Sequence, residues 1–235
     1  MRNGVAQAPV KSAVVLLSGG LDSATTLAIA TASGFSCHAL SFSYGQRHIV
    51  ELACATKVAR SLKATSHRVV SLDTSVFEAS ALTGHGPIPR HRGYDEMARE
   101  IPDTYVPARN TVFLSYALAL GETLGSADIF IGATAIDYSG YPDCRPEYLA
   151  AFEEMANLAT RASAAGEIHI SVHAPLVALA KHEIISQGLA LGVDYSLTHS
   201  CYDPSATGAP CGSCDSCLLR AQGFATLGMK DPALV

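Results

Sequence analysis

No stretch of the chain approaches the ~20 consecutive apolar residues that a membrane-spanning helix requires. A helical membrane protein is therefore excluded. The segment through Lys11 is short and mixed, and residues 14–17 are too brief for the core of a signal peptide, so a cytoplasmic location is expected. Positive charge is not in excess: 16 Lys and Arg stand against 21 Asp and Glu, for a net charge of −5. A general polyanion-binding surface is thereby excluded, and no direct nucleic-acid partner is expected. The one local basic cluster, Arg90-His91-Arg92, reads as a solvated loop. Internal repeats and low-complexity linkers are also lacking. Seven cysteines are an odd number and suit reduced thiols better than a disulfide framework.

What is present is a well-filled core. Apolar residues make up 49% of the 235 positions, enough for one sizeable domain with at most a small appendage. Residues 14–17 form a continuous apolar run ending in Ser-Gly-Gly, which reads as a buried strand. A helix is predicted over 24–32, stopping before Gly34, then a strand over 37–42. A helix follows over 46–63 with Ile49, Leu52, Ala53 and Ala59 on one face, then a strand over 68–72. This strand and helix alternation predicts an α/β fold with a parallel sheet and right-handed crossovers.

Residues 83–105 break the pattern with scattered Gly, Pro and charge, as a long functional or mobile loop would. Order returns with a helix over 109–124, capped near Asn110 or Thr111. A strand over 128–131 leads into a polar loop over 134–145. Pro146 opens a helix reaching about 162. A strand over 168–172, a helix over 181–191 and a short tail helix over 218–224 complete the pattern. Residues 1–200 read as a catalytic domain and 201–235 as a small C-terminal extension, together one compact unit.

Two clusters carry chemistry. Ser18-Gly19-Gly20-Leu21-Asp22-Ser23 lies between a predicted strand and a predicted helix. Its glycines let backbone N–H groups approach an anion, and the helix N-terminus favours negative charge. The lysine of a Walker A loop is missing, so the loop belongs to another nucleotide-binding type. In the tail, Cys201 precedes Cys211, Cys214 and Cys217 in CGSCDSC. Four thiolates separated by short loops favour a closed structural zinc site over redox or sulfur-transfer chemistry. Cys37 and Cys54 read as core residues.

SGG-x-DS in this setting resembles the PP-loop of the ATP pyrophosphatases. Longer strings resemble one branch of them, the 7-cyano-7-deazaguanine synthase family, almost end to end. These are SGGLDSAT at 18–25, YGQRH at 44–48, YVPARNTVFLS at 105–115 and DYSGYPDCRPEY at 137–148. APL at 174–176 and CYDPSATGAPCGSCDSCLLRAQGF at 201–224 complete the match. The resemblance implies conversion of 7-carboxy-7-deazaguanine, ammonia and ATP to the nitrile, through an adenylated acid, an amide and an adenylated amide. It also implies a homodimer and Mg²⁺ with the ATP.

The same resemblance assigns roles. Ser18, Gly19, Gly20, Asp22 and Ser23, flanked by Leu17, Leu21 and Ala24, would hold pyrophosphate and magnesium. Ser43, at a strand end, would help frame adenine. Gln46, Arg47 and His48 would reach phosphate or substrate, although Arg47 reads equally well as a surface helix residue. Arg109 would contact phosphate or carboxylate and Asn110 would contact substrate or simply cap its helix. Asp137, Tyr138, Tyr141, Asp143 and Arg145 would form the substrate loop, with Asp137 or Asp143 reading the guanine-like edge. Lys181 would stabilise adenylate charge unless it is simply solvated. Cys144 is positional. Two positions depart from the family, Ser43 where Asp is frequent and Thr134 where Asn is frequent. They leave room for a relative that stops at the amide or conjugates to a protein amine. A PP-loop tRNA sulfur transferase is a more distant alternative.

Overall fold

The computed structural model describes residues 11–46, 50–78, 80–84, 86–97, 101–134 and 141–234. Five short strands pair side by side: β1 (Ser12–Leu16), β2 (Ser36–Ser43), β3 (Ser66–Ser71), β4 (Asp128–Phe130) and β5 (Ser171–His173). All neighbours are parallel, in the order β3-β2-β1-β4-β5. The α/β parallel sheet expected from the sequence is the one observed. Strand order reverses on either side of β1. Ligands bind open α/β sheets at such a switch point, beyond the carboxyl ends of the strands.

Side chains alternate across the sheet and so feed two cores. Val14 and Leu16 join Leu40, Phe42 and Ile129 in one core. That core is covered by α4 (Arg109–Leu124) and α5 (Pro146–Ala159), through Leu114, Ala117, Leu149 and Phe152. Ala13 and Val15 join the other, covered by α1 (Leu21–Ala32), α2 (Val50–Ser61), α7 (Lys181–Ala190) and α8 (Asp215–Thr226). Leu27, Val58, Ile184, Ile185 and Phe224 are buried there. Each such large aliphatic or aromatic side chain contributes about 1.5–3 kcal/mol on burial. Two single-turn helices, α3 (Tyr94–Met97) and α6 (Arg161–Ala164), lie in the connections.

Several boundaries differ from the sequence reading, each for a local reason. The last strand starts at Ser171 rather than 168, because its register with β4 begins at the pair Asp128 and Ser171. Just upstream, the Asn157 side chain holds both the N–H and the carbonyl of Ile170. The helix from Pro146 ends at Ala159, where Thr160 takes an extended backbone and its hydroxyl donates back to the Ala156 carbonyl. The buried face of α2 is Ala55, Val58 and Ala59, while Ala53 is exposed. Ala55 faces inward because it packs directly beneath the nucleotide loop. Cys37 is buried, whereas Cys54 is only half-buried.

The cap of α4 also differs. Its first residue is preceded by Ala108 in the left-handed region, with no capping side chain of its own. The Asp143 carboxylate accepts the Asn110 N–H at 2.9 Å and does the capping from across the fold. The tail helix begins at Asp215, not 218, so Cys217 sits in its first turn.

Candidate active site

The loop between β1 and α1 is shaped by its own side chains. The Ser18 N–H donates to Ser23 Oγ at 3.2 Å, and the two hydroxyls lie 3.0 Å apart. The Gly20 N–H points at Ser18 Oγ at 3.3 Å, and Ser23 Oγ donates to the Gly20 carbonyl at 3.1 Å. Gly19 has φ +89°, and a Cβ there would fall 2.3 Å from the Glu51 carbonyl oxygen. Only glycine lets α2 close on the loop at that point. Opposite, Lys181 Nζ lies 2.7 and 2.8 Å from the two carboxylate oxygens of Asp22. Lys181 reaches there because Gly223 of α8 leaves room for its stem; a Cβ at Gly223 would lie 2.8 Å from Lys181 Cγ.

A cleft of about 230 Å³ opens from this loop across the carboxyl ends of β1, β2 and β4. Ser18, Gly20, Leu21, Asp22 and Ser23 form its floor. Phe42, Tyr44 and Phe113 form an aromatic wall, with Phe42 and Phe113 stacked at 4.0 Å between ring centroids. Arg109, Asn110, Tyr141 and Cys144 also line the cleft. Arg109 donates to the Tyr44 hydroxyl at 3.5 Å. Burial opposes its charge, yet Tyr44, Tyr141 and Cys144 beside it hold its pKa above the ordinary value. Glu51, half-buried at the start of α2, completes the polar lining; burial pushes its carboxyl up to about 7 while Arg109 pulls it down. An aromatic-walled cleft that sets the Arg109 guanidinium with the Asp22 and Glu51 carboxylates, next to an anion-binding loop, suits a planar substrate and a polyphosphate.

The four tail cysteines come together as predicted. Their Sγ atoms all lie within 4.8 Å of one another, the spacing that a tetrahedral Cys₄ metal site requires. Backbone N–H groups of Asp203 and Cys211 point at Cys201 Sγ at 3.4 and 3.2 Å, and that of Cys214 at Cys211 Sγ at 3.3 Å. Such donors favour thiolates, so the cluster is built to hold a structural metal. All seven cysteines are free of disulfides.

The cluster is joined to the cleft. Cys201 and Ser216 line it, the His199 N–H donates to the Gly19 carbonyl at 2.9 Å, and the Leu21 N–H donates to Ser200 Oγ at 3.2 Å. The basic stretch is the exposed loop expected, with Arg90 and His91 at the surface, and it is also pinned to the tail. Arg90 pairs with Asp203 and Arg92 with Asp215, and the His91 N–H donates to the Ser213 carbonyl. Acidic tail residues neutralise these arginines, which is the reason no basic patch results.

The remaining candidates fall in different places. Leu17 and Tyr141 line the cleft, and the Tyr141 hydroxyl bonds Thr104 at 2.9 Å. Gln46 lines it too, though its amide also staples the turn after β2 by bonding the Tyr44 N–H and the Phe42 carbonyl. Ala24 is buried in α1 just below the loop. Ser43 ends β2 in register with Ser71, and Arg145 caps α5; neither lines the cleft. Asp143 is buried at the α4 cap, behind the lining. Arg47, His48, Asp137 and Tyr138 lie outside the described residues. Glu51, Tyr44, Phe113, His199 and Ser200 escaped the sequence reading. Only Glu51 had a local signal, as an acid in the first turn of the helix after YGQRH.

Comparison with known proteins agrees with this geometry. The family described as queuosine biosynthesis protein QueC matches residues 12–228. The 7-cyano-7-deazaguanine synthase of Frankia casuarinae is 62% identical over 225 residues, covering 96% of this chain and 94% of that protein. Its counterpart in Desulfatibacillum aliphaticivorans is 60% identical over 222 residues, covering 94% and 95%. Among solved structures, an NMN synthetase from Francisella tularensis superposes with a TM-score of 0.51 at 16% identity, covering 94% of this chain and 79% of that one. That likeness speaks to the fold. A family match over residues 12–228 and near-complete coverage at such identity place the chain in the QueC family of queuosine biosynthesis proteins.

Proposed function

We propose that this chain is an ATP-dependent 7-cyano-7-deazaguanine synthase, converting 7-carboxy-7-deazaguanine and ammonia to the nitrile. The observation that carries this reading is identity near 60% over almost the whole length, spanning every wall of the cleft. Carboxylate and amide oxygens are poor leaving groups. Adenylation makes each a good one, so the protein has chiefly to hold charge and align partners.

The residues divide that work. The hydroxyls of Ser18, Ser23 and Ser200 accept from loop N–H groups that phosphate oxygens would take over. Lys181 and Arg109 supply positive charge from opposite sides. Asp22 is the loop carboxylate that would hold the magnesium ion of ATP, which when bound would neutralise phosphate charge. Lys181, paired with Asp22, keeps an ammonium beside the loop. Phe42, Tyr44, Phe113 and Tyr141 offer faces for the two planar ring systems. The family resemblance assigns Asp137 and Tyr138 to the substrate as well. Asp143 contributes by fixing the start of α4, and with it Arg109 and Asn110.

Zinc fits the four sulfurs of Cys201, Cys211, Cys214 and Cys217, and when bound supplies a cross-link rather than an open coordination position. Residues 1–200 and 201–235 act as catalytic unit and clasp. No described helix is long and apolar enough to cross a membrane, which suits cytoplasmic work as a homodimer on small molecules. The test is the product mass from pure protein, ATP, ammonium and 7-carboxy-7-deazaguanine. Nitrile is expected; amide alone, or a protein adduct, would overturn the assignment.

A further inference from the structure

Amide formation from ammonia needs a group to take a proton, and the cleft contains one carboxylate that nothing else employs. Among its described lining residues, Asp22 and Glu51 are the two carboxylates. Asp22 is held through both oxygens by Lys181. The acids surrounding the cleft are also engaged. Asp143 takes the Asn110 N–H, Asp203 takes Arg90 and Asp215 takes Arg92. The carboxylate of Glu51 has neither a hydrogen bond nor an ion pair among the described residues.

Its backbone is closely placed. The Glu51 carbonyl is the atom that a Cβ on Gly19 would strike, so the start of α2 packs against the nucleotide loop and brings Glu51 to the cleft wall. We propose that Glu51 is the general base of the amidation step, taking the proton that the ammonia nitrogen loses as it bonds to the activated carboxyl carbon. This rests on the reading of the chain as a nitrile-forming synthase. The step balances without a further reactant. The nitrogen lone pair forms the C–N bond, an N–H proton passes to the carboxylate, and the C–O bond to AMP breaks with the electron pair leaving on AMP. In the second turnover the amide oxygen bonds to the α-phosphorus of another ATP and pyrophosphate departs. N–H protons then leave one after the other to the same base, which returns each to solvent, as the C≡N bond forms and AMP departs.

The surroundings suit proton transfer near neutrality. Arg109 from α4, Tyr44 from beyond β2 and Cys54 on the same helix are the titratable or charged groups that act electrostatically with Glu51. Asp22 and His199 share the cleft with it. Burial outweighs the pull of Arg109 and leaves the carboxyl at about 7. A base with such a value is efficient at neutral pH.

The experiment uses the full-length, zinc-loaded protein and compares wild type with Glu51→Gln and Glu51→Asp. Three rates are measured: ATP–pyrophosphate exchange dependent on 7-carboxy-7-deazaguanine, amide formation from ammonium, and hydroxamate formation from hydroxylamine. Hydroxylamine is already unprotonated at neutral pH and a stronger nucleophile, so it relies least on a base. For Glu51→Gln, exchange should stay within about threefold of wild type while amide formation falls by about 10²–10⁴-fold. Hydroxamate formation should be largely retained. Glu51→Asp should recover part of the ammonia rate. The rising limb of the wild-type pH profile near 7 should vanish in Glu51→Gln. Loss of exchange together with amide formation would overturn the proposal and assign Glu51 to ATP binding or to structure. Unchanged amide formation would also overturn it and leave His199 as the base to examine. If wild-type protein exchanges pyrophosphate yet makes neither amide nor nitrile, the functional reading fails and this inference falls with it.

Discussion

The nucleotide loop and the cysteine cluster meet at one cleft, yet they are built in opposite ways. The loop is shaped by bonds between residues two to five positions apart, Ser18 with Gly20 and Ser23. The cluster gathers its ligands locally but is located by distant ones, Arg90 on Asp203 and Arg92 on Asp215, across more than a hundred residues. A self-shaped loop can carry chemistry in any protein of this fold. A clasp positioned by the whole chain does so only when folding is complete. The two touch through His199 and Ser200, so the clasp has a direct line to the loop and not merely a general effect on stability.

The largest separation between the regions should come from Asp22→Ala. It removes the carboxylate placed for magnesium and should lower substrate-dependent ATP–pyrophosphate exchange by about 10³-fold or more. The melting temperature should change little, because the side chain is partly exposed and not part of the core. Exchange that survived would mean that the loop is not the phosphate end of the cleft.

Cys214→Ser, or chelation of the metal, should show the reverse order. Stability should fall first, by several kcal/mol, since binding a structural metal is linked to folding of its ligands. Limited proteolysis should open the segment after 200, and activity should decline in step with that opening. Activity lost while the tail stays protected would give the metal a catalytic part and erase the distinction between clasp and loop.

This contrast also explains how much was legible beforehand. SGGLDS and CGSCDSC are contiguous, and their chemistry follows from residue type and spacing, so both were readable as sequence. The parallel sheet was readable because the apolar run of β1 leads into a helix of small residues, and β2 into an amphipathic one. Asp143 was read as a substrate contact, whereas the structure places it at the α4 cap. Its role depends on a register between segments 33 residues apart that no local pattern encodes. The partners of Arg90 and Arg92 were illegible for the same reason, since Asp203 and Asp215 lie in the tail. Glu51 owes its place to packing around Gly19, and Ser200 to packing against Gly20.

Glu51 should also show itself in stability, at a smaller scale. A carboxyl raised to about 7 in the folded state binds protons that the unfolded chain has released above its ordinary value of 4.5. Folding stability from this group therefore falls as pH rises from about 4.5 to about 7 and stays reduced above that. Glu51→Gln should remove the slope and raise stability at pH 8 by on the order of 1–3 kcal/mol, an estimate lowered for the water that reaches a half-buried group. Thermal melts from pH 5 to 8 measure it. A mutant slope equal to that of wild type would place the carboxylate in open solvent.

The finest test is Ser200→Ala, at the joint between the two regions. Losing the hydroxyl that accepts the Leu21 N–H costs about 0.5–1.5 kcal/mol at most, because water reaches the exposed end of α1. The melting temperature should scarcely move, while the apparent KM for ATP should change by about two- to tenfold. Its direction is informative. A rise means that Ser200 preorganises the N–H groups for phosphate, whereas a fall means that it competes with phosphate for the Leu21 N–H. If Ser200→Ala leaves ATP binding unchanged while Cys214→Ser weakens it, the clasp acts through the backbone bond from His199 to Gly19 instead. That bond closes on the loop at its one left-handed residue, and at position 199 only a proline, which lacks the N–H, would remove it.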